Sequence, residues 1–211
     1  MKRVVFILAT VFLGAFSAFG QVSIECQGGL NFANLSDPGN LIEGAVWSTH
    51  VGGVGEALVN IPLTDRLFLS SGLRYVQKGT ESNWSSGMTG KVEATVRNSY
   101  LELPLHLKYA VLDVGPRLFI LGGPSVGYLM NSRTEATVQL YGSTSSDTKE
   151  EYKSYDVTLD IGLELAIPVI SSWSVVAAGS YSFGIVKVQN MESHAQTRDV
   201  GLTLGVQYAF N

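Results

Sequence analysis

Cysteine is almost absent from this chain of 211 residues, since Cys26 is the single one. A lone cysteine has no partner within the chain, so a fold held by intramolecular disulfides is excluded. Cys26 follows the residues VSIE instead of a run of small residues. We therefore expect no lipid attachment at this position.

Positive charge is also scarce, because 14 Lys and Arg stand against 18 Asp and Glu. The formal net charge is −4, and the charged fraction is only 15%. Nucleic acid is an unsuitable partner for such a chain.

Long apolar runs are lacking beyond the N-terminus. The first residues, MKRVVFILATVFLGAFSAFG, place Lys2 and Arg3 before an apolar stretch that ends in small residues. This pattern predicts a secretory signal peptide at 1–20 and a single domain at 21–211, with an uncleaved membrane anchor as the alternative. The longest later uncharged run, 165–186, contains Pro168, Gly179 and Gly184 and is typical of two strands around a turn.

Alternation of apolar and polar residues is what the sequence has in abundance. In SYLELPLHLKYAV, residues 99–111, leucine or tyrosine occupies every second position from 101 to 109. A period of two indicates a β-strand with one apolar face. The same pattern predicts eight strands, at about 22–34, 51–62, 67–78, 97–109, 116–129, 155–167, 173–185 and 198–210.

The connections between these strands alternate strictly between two lengths. Short turns are predicted at 62–66, 110–115 and 168–172, and long polar loops at 35–50, 79–96, 130–154 and 186–197. All short turns then lie at one end of the sheet and all long loops at the other. This organisation predicts an all-β fold, a closed eight-stranded antiparallel transmembrane β-barrel with meander topology. A soluble barrel of the lipocalin type would show the same alternation with its two faces reversed.

The low charged fraction favours the membrane barrel, because a soluble barrel needs a surface rich in lysine and glutamate. The apolar face, which includes Leu101, Leu103, Leu105 and Leu107, would then contact lipid. The opposite face carries charged residues, which we expect to pair inside a narrow lumen. This predicted lumen network comprises Glu56, Arg74, Glu102, Lys108, Arg117, Asp160 and Glu164.

Aromatic residues stand near the predicted strand ends, where membrane barrels carry interfacial girdles. β-Propensity alone is the simpler explanation for part of this set. The set is Tyr75, Tyr109, Tyr128, Trp173, Tyr181, Tyr208 and Phe210.

Catalytic and metal-binding motifs are weak. GPSVG at 123–127 fits the G-x-S-x-G pattern, but Ser125 falls within a predicted strand that no helix follows. His50, His106 and His194 lack the spacing of metal ligands. We predict no catalytic residues, no metal and no cofactor.

Several segments resemble the PorT-like outer-membrane β-barrel domain family: VGEALVNIPLTDRLFLSSGLRYVQKG, SYLELPLHLKYAV, LFILGGPSVGYLM and GLTLGVQYAFN. The resemblance covers nearly the whole chain after the leader. It implies an eight-stranded barrel that inserts from the periplasm and ends its last strand on an aromatic residue. Here the aromatic residue is penultimate, because Asn211 follows Phe210.

Three classes of function are compatible with these features. The sequence favours a structural or surface-interaction barrel of the bacterial outer membrane, with a lumen filled by side chains. A narrow channel is the alternative, followed by an outer-membrane enzyme that acts on lipids. The expected partners are outer-membrane lipid and the barrel-assembly machinery during biogenesis, and we expect a monomer.

Overall fold

A computed structural model describes residues 22–36, 46–86, 90–138, 142–148, 153–186 and 196–210. These residues form nine β-strands. The strands are β1 (Ser23–Ser36), β2 (Val46–Pro62), β3 (Leu67–Ser86), β4 (Gly90–Asp113), β5 (Arg117–Val138), β6 (Gly142–Asp147), β7 (Tyr155–Ile170), β8 (Trp173–Gly184) and β9 (Gln196–Ala209). No helix in the described ranges is long and apolar enough to cross a membrane. The predicted leader, 1–20, lies outside these ranges.

Eight of the strands close into a barrel by antiparallel pairing. Strand β1 pairs with β2 on one side and with β9 on the other, from Ser23↔Ala209 to Ser36↔Gln196. Strand β5 pairs with β4 and, through residues 117–128, with β7. The closed ladder confirms the predicted eight-stranded barrel and leaves no open sheet edge along the barrel wall.

The three short connections lie at residues 63–66, 114–116 and 171–172 and overlap the predicted turns at 62–66, 110–115 and 168–172. Strands β4 and β7 run to Asp113 and Ile170, further than predicted, so the second and third turns are shorter than expected. Gly115 has a φ of 80° in the turn between β4 and β5. This conformation favours glycine, because a Cβ would clash with the backbone. One end of the barrel therefore carries only tight turns.

Two of the four predicted long loops are largely strand. Residues 79–86 and 90–96 extend β3 and β4 as a hairpin, while 130–138 and 142–147 form the end of β5 and the additional strand β6. Residues 79–86, 131–137 and 142–147 carry mostly polar residues on both faces, so they lack the apolar alternation that identifies a strand in sequence. Residues 90–96 do alternate, with Val92, Ala94 and Val96 on one face, and the sequence prediction missed them. The loop predicted at 35–50 is partly strand as well, and most of the loop at 186–197 lies outside the described residues.

The outer face of the barrel is apolar and exposed. Leu103, Leu105 and Leu107 on β4 are 56%, 49% and 50% exposed. Outward residues from Leu101 to Val111 span about 33 Å along the strand, or about 25 Å across a membrane at the usual strand tilt. This height matches the apolar band of an outer-membrane barrel.

Aromatic side chains lie on the outer face at both borders of this band. Trp173 and Tyr208 pack with their ring centres 5.0 Å apart at the short-turn end, and Tyr208 and Phe210 are 5.1 Å apart. Tyr75, Tyr128 and Tyr181 are exposed near the opposite border. The arrangement is that of two interfacial girdles.

The inner face alternates between apolar and ionic layers. Val76, Tyr100 and Leu129 form one buried apolar cluster. Ala110, Phe119, Ala166 and Val176 form a second cluster towards the short turns. Along β4 the ionic residues Glu102, His106 and Lys108 lie between these two clusters.

Candidate functional site

The Arg74 cluster, which consists of Arg74, Glu56, Glu102 and Asp160, occupies the middle of the barrel. Glu56 and Glu102 stand directly opposite Arg74 on the neighbouring strands β2 and β4. Arg74 Nε donates to Glu56 at 2.8 Å, and Nη1 donates to Asp160 on β7 at 3.0 Å. Glu102 lies 3.5 Å from the same Nη1. One guanidinium thus joins neighbouring strands and bridges the lumen.

Lys78 extends this cluster towards the long-loop end. Its Nζ lies 2.8 Å from Glu102, 3.3 Å from Asp156 and 3.5 Å from Asp199. The predicted network omits Lys78, Asp156 and Asp199, which stand near the ends of the strands predicted at 67–78, 155–167 and 198–210. The alternation of apolar and polar residues could have identified all three, because each occupies an inward position on its strand.

The Lys108 cluster, which consists of Lys108, Glu25 and Glu164, lies nearer the short turns. Lys108 Nζ is 2.6 Å from Glu164 and 3.1 Å from Glu25. Glu25 also accepts a hydrogen bond from the Asn60 amide at 3.0 Å. These groups come from strands on opposite sides of the barrel, so the cluster acts as a second cross-brace.

Arg117 lies apart from the other predicted lumen residues. It is the first residue of β5, and its side chain is 47% exposed. Its guanidinium pairs with Asp113 across the turn at 2.9 Å. The prediction that Arg117 joins the interior pairs is therefore corrected: at the strand terminus the side chain reaches the mouth of the barrel.

Carboxylates outnumber cations in the two clusters and their extension. The acidic members are Glu25, Glu56, Glu102, Asp156, Asp160, Glu164 and Asp199, against the basic Arg74, Lys78 and Lys108. Each cation contacts at least two carboxylates. Removing one cation therefore breaks at least two buried ion pairs, which is costly.

The interior brings together Ser125, His106 and Asp160, three residue types that serve in hydrolytic triads. Their geometry differs from a triad, however. Ser125 Oγ donates directly to Asp160 at 2.6 Å, and Asp160 contacts His106 through Nε2, the same nitrogen that lies 3.4 Å from Ser125. A triad needs the carboxylate on Nδ1 and the serine on Nε2. All three residues are also at most 1% exposed.

The middle of the lumen is filled by side chains. A void of about 20 Å³ next to Arg74, Glu102 and Asp199 has room for about one water molecule. A wider cavity of about 520 Å³ opens at the short-turn end, next to Lys108 and Glu164. The ionic clusters therefore brace a closed interior.

A polar sheet continues beyond the apolar band at the long-loop end. Residues 80–83 of β3 pair with β2, residues 90–97 of β4 pair with β3, and residues 133–138 of β5 pair with both β4 and β6. Long loops of outer-membrane barrels face the cell exterior. We call this feature the extracellular sheet.

Strand β6 forms one border of the extracellular sheet and pairs only with β5 within the described ranges. Thr148 N donates to Ser132 O at 3.3 Å, so Thr148 and Ser132 form a hydrogen-bonded pair. In an antiparallel ladder every second pair from there is hydrogen-bonded as well. By that alternation, the backbone N–H and C=O groups of Ser143, Ser145 and Asp147 point away from β5. Among the residues that the structure describes, they form an open strand edge.

The closed ladder, apolar band, aromatic girdles and ion-paired interior define a β-barrel of the bacterial outer membrane. The sequence matches the family described as outer membrane protein beta-barrel domain over residues 16–190, and the chain belongs to that family.

Solved structures with a similar fold come from distant bacteria. A major outer membrane protein of Thermus thermophilus is 14% identical, with a TM-score of 0.51 over 90% of this chain and 99% of that one. Neisserial surface protein A is 13% identical, with a TM-score of 0.46 over 89% and 97%. OprG of Pseudomonas aeruginosa is 9% identical, with a TM-score of 0.45 over 92% and 97%. No curated protein sequence matches the chain.

Proposed function

We propose that this protein is a surface-interaction barrel of the PorT-like type, which presents an open strand edge outside the cell. The observation that carries this proposal is the edge of β6. Its Ser143, Ser145 and Asp147 backbone groups are free of β5, while the lumen below is closed by ion pairs. The protein acts as a monomeric binding scaffold without catalysis or cofactor.

The partner that this edge suits is an extended polypeptide segment. Such a segment adds to a sheet through main-chain hydrogen bonds, and side chains of alternate residues provide selectivity. The exposed residues at 144–146 are Thr, Ser and Ser, and natural proteins usually protect such edges with lysine or proline. The composition of β6 leaves the edge accessible to another strand.

The test is a proline substitution at Ser145 on intact cells. Ser145→Pro removes one outward N–H and keeps the hydrogen bonds between β5 and β6, because the N–H of residue 145 is not used in that pairing. The matched control, Ser145→Ala, keeps the N–H. Both variants should retain a gel mobility that shifts on boiling, which reports a folded barrel.

Chemical cross-linking on intact cells provides the readout. A partner species should be captured by the wild type and by Ser145→Ala, and be lost with Ser145→Pro and with a variant in which a short Gly-Ser linker replaces 131–153. Capture of the same species by the linker variant would contradict the proposal. Stepwise conductance in planar bilayers would favour the channel instead.

A further inference from the structure

The cavity at the short-turn end has no role in the proposed extracellular binding. It measures about 520 Å³ and is lined at its opening by residues 62–65, at the turn between β2 and β3, and by the Asp113–Arg117 pair. The short turns of outer-membrane barrels face the periplasm. The cavity is thus a periplasmic pocket at the opposite end from β6.

Two buried oxygen acceptors that lack a hydrogen-bond donor among the described residues belong to side chains that line this pocket. They are Asn60 Oδ1 and Glu164 Oε1, whose residues are 2% and 1% exposed. The other polar atoms of both side chains are used: Asn60 Nδ2 donates to Glu25, and Glu164 Oε2 contacts Lys108. A buried acceptor without a donor is costly, so this wall suits a ligand that donates.

The charge around the pocket favours a cation. Asp65, Asp113 and Glu164 line it, against Lys108 and Arg117. Arg117 is paired with Asp113, and Lys108 is shared between Glu164 and Glu25 behind the wall. The wall therefore holds more negative than positive charge.

Aromatic side chains line the pocket beside these acceptors. Phe68 and Phe119 are both lining residues, and their rings meet edge to face with centres 5.6 Å apart. Phenyl rings provide apolar contact, and their faces attract cations. Leu63 adds a further apolar surface from the turn.

From this combination we propose that the periplasmic pocket binds a small organic cation, with a primary ammonium group on a short apolar stem. The ammonium donates to Glu164 Oε1 and Asn60 Oδ1, and the stem packs against Phe68 and Phe119. An inorganic cation would use the oxygens but gain nothing from the apolar wall.

The probe for this proposal is n-butylammonium chloride, added to the detergent-solubilised full-length barrel. The readout is the temperature at which the gel mobility changes to that of the unfolded chain, because a ligand that binds only the folded state raises it in a saturable manner. Potassium chloride at equal concentration controls for ionic strength. 1-Butanol controls for the apolar stem without the charge.

Glu164→Gln should weaken the apparent affinity for n-butylammonium by about tenfold or more, as expected for loss of a hydrogen bond to a charged acceptor. Glu56→Gln, which alters the Arg74 cluster away from the pocket, should leave that affinity unchanged. Phe68→Leu changes the wall without touching an ionic group and should weaken binding as well. This variant keeps the proposal testable if Glu164→Gln does not fold.

The proposal is supported if n-butylammonium stabilises the barrel in a saturable manner and potassium and butanol do not. Glu164→Gln or Phe68→Leu should also reduce that stabilisation. An equal response to potassium would overturn it, as would a response without saturation. Unchanged affinity in both pocket variants would also overturn it. None of these outcomes depends on the β6 edge.

Discussion

The two faces of β4 differ sharply in composition and exposure. Outward Leu103, Leu105 and Leu107 are about half exposed, at 56%, 49% and 50%. Inward Glu102 and Lys108, which flank these leucines in sequence, are each 2% exposed. Charged residues are almost never fully buried unless paired, so the pattern inverts that of a soluble protein.

This inversion indicates that lipid, and not water, surrounds the outer face of the barrel. Leucines in contact with acyl chains cost nothing, whereas a charge there is unfavourable. The inward charges are stable only because cross-lumen pairs satisfy them. The outer face therefore suits contact with lipid, and the inner face suits pairing of charges with one another. Substitutions on the two faces should destabilise the barrel for different reasons.

Arg74→Leu should have the largest effect, because it leaves the Glu56, Glu102 and Asp160 carboxylates without their shared cation. Breaking such a buried pair costs about 3–5 kcal/mol of unfolding free energy. Urea unfolding in lipid vesicles, followed by tryptophan fluorescence, measures this cost. Arg74→Lys retains the charge and should recover part of the lost stability. Equal stability of Arg74→Leu and the wild type would show that the cluster does not stabilise the barrel.

Leu103→Arg places a charge on the outer, lipid-facing side of β4 instead. A cation near the bilayer midplane should cost about 2–4 kcal/mol in the same unfolding assay. Val111→Arg is the control for depth, because Val111 lies on the outer face near the short turns and should cost about 0–1 kcal/mol. Similar costs at both positions would argue against a membrane around this face.

Glu102→Gln should cost less than Leu103→Arg, at about 1 kcal/mol. The substitution removes one carboxylate from an interior that holds more carboxylates than cations. Lys78 keeps Asp156 and Asp199, and Arg74 keeps Glu56 and Asp160. If Glu102→Gln abolished assembly while Leu103→Arg were silent, the assignment of the two faces would be reversed.

Arg117→Gln should have the smallest effect, within about 0.5 kcal/mol. Its half-exposed pair with Asp113 lies in the turn at the mouth, where water screens both charges. Asp113→Asn should match it in the unfolding assay. A loss near that of Arg74→Leu would place Arg117 back in the interior network.

Much of the barrel follows from alternation alone. The period of two in residues 99–111 assigns Leu103 and Leu105 outward and Glu102 and Lys108 inward, as found. The signal is strong because each face meets one uniform environment. The same rule extends to Lys78, Asp156 and Asp199, which a consistent use of alternation to the strand ends would have included.

The rest could not be predicted for identifiable physical reasons. Residues 79–86 and 142–147 form strands in which both faces are mostly polar, so they carry no hydrophobic period. The partner of each charge depends on contacts across the lumen, such as Arg74 with Asp160, 86 positions apart in sequence. Arg117 has inward periodicity, but its position at the end of β5 directs it to the mouth.

The central claim, that the outer face of β4 contacts lipid, is tested most directly by fluorescence quenching. Single cysteines at Leu103, Leu105 and Leu107, and at Ser145 as the control, would carry a bimane label. The exposed native Cys26 would be replaced by alanine. In vesicles, brominated acyl chains should quench the three β4 labels and spare the label at 145, whereas aqueous iodide should do the opposite. Quenching of the β4 labels by iodide, with no effect of brominated lipid, would contradict the account.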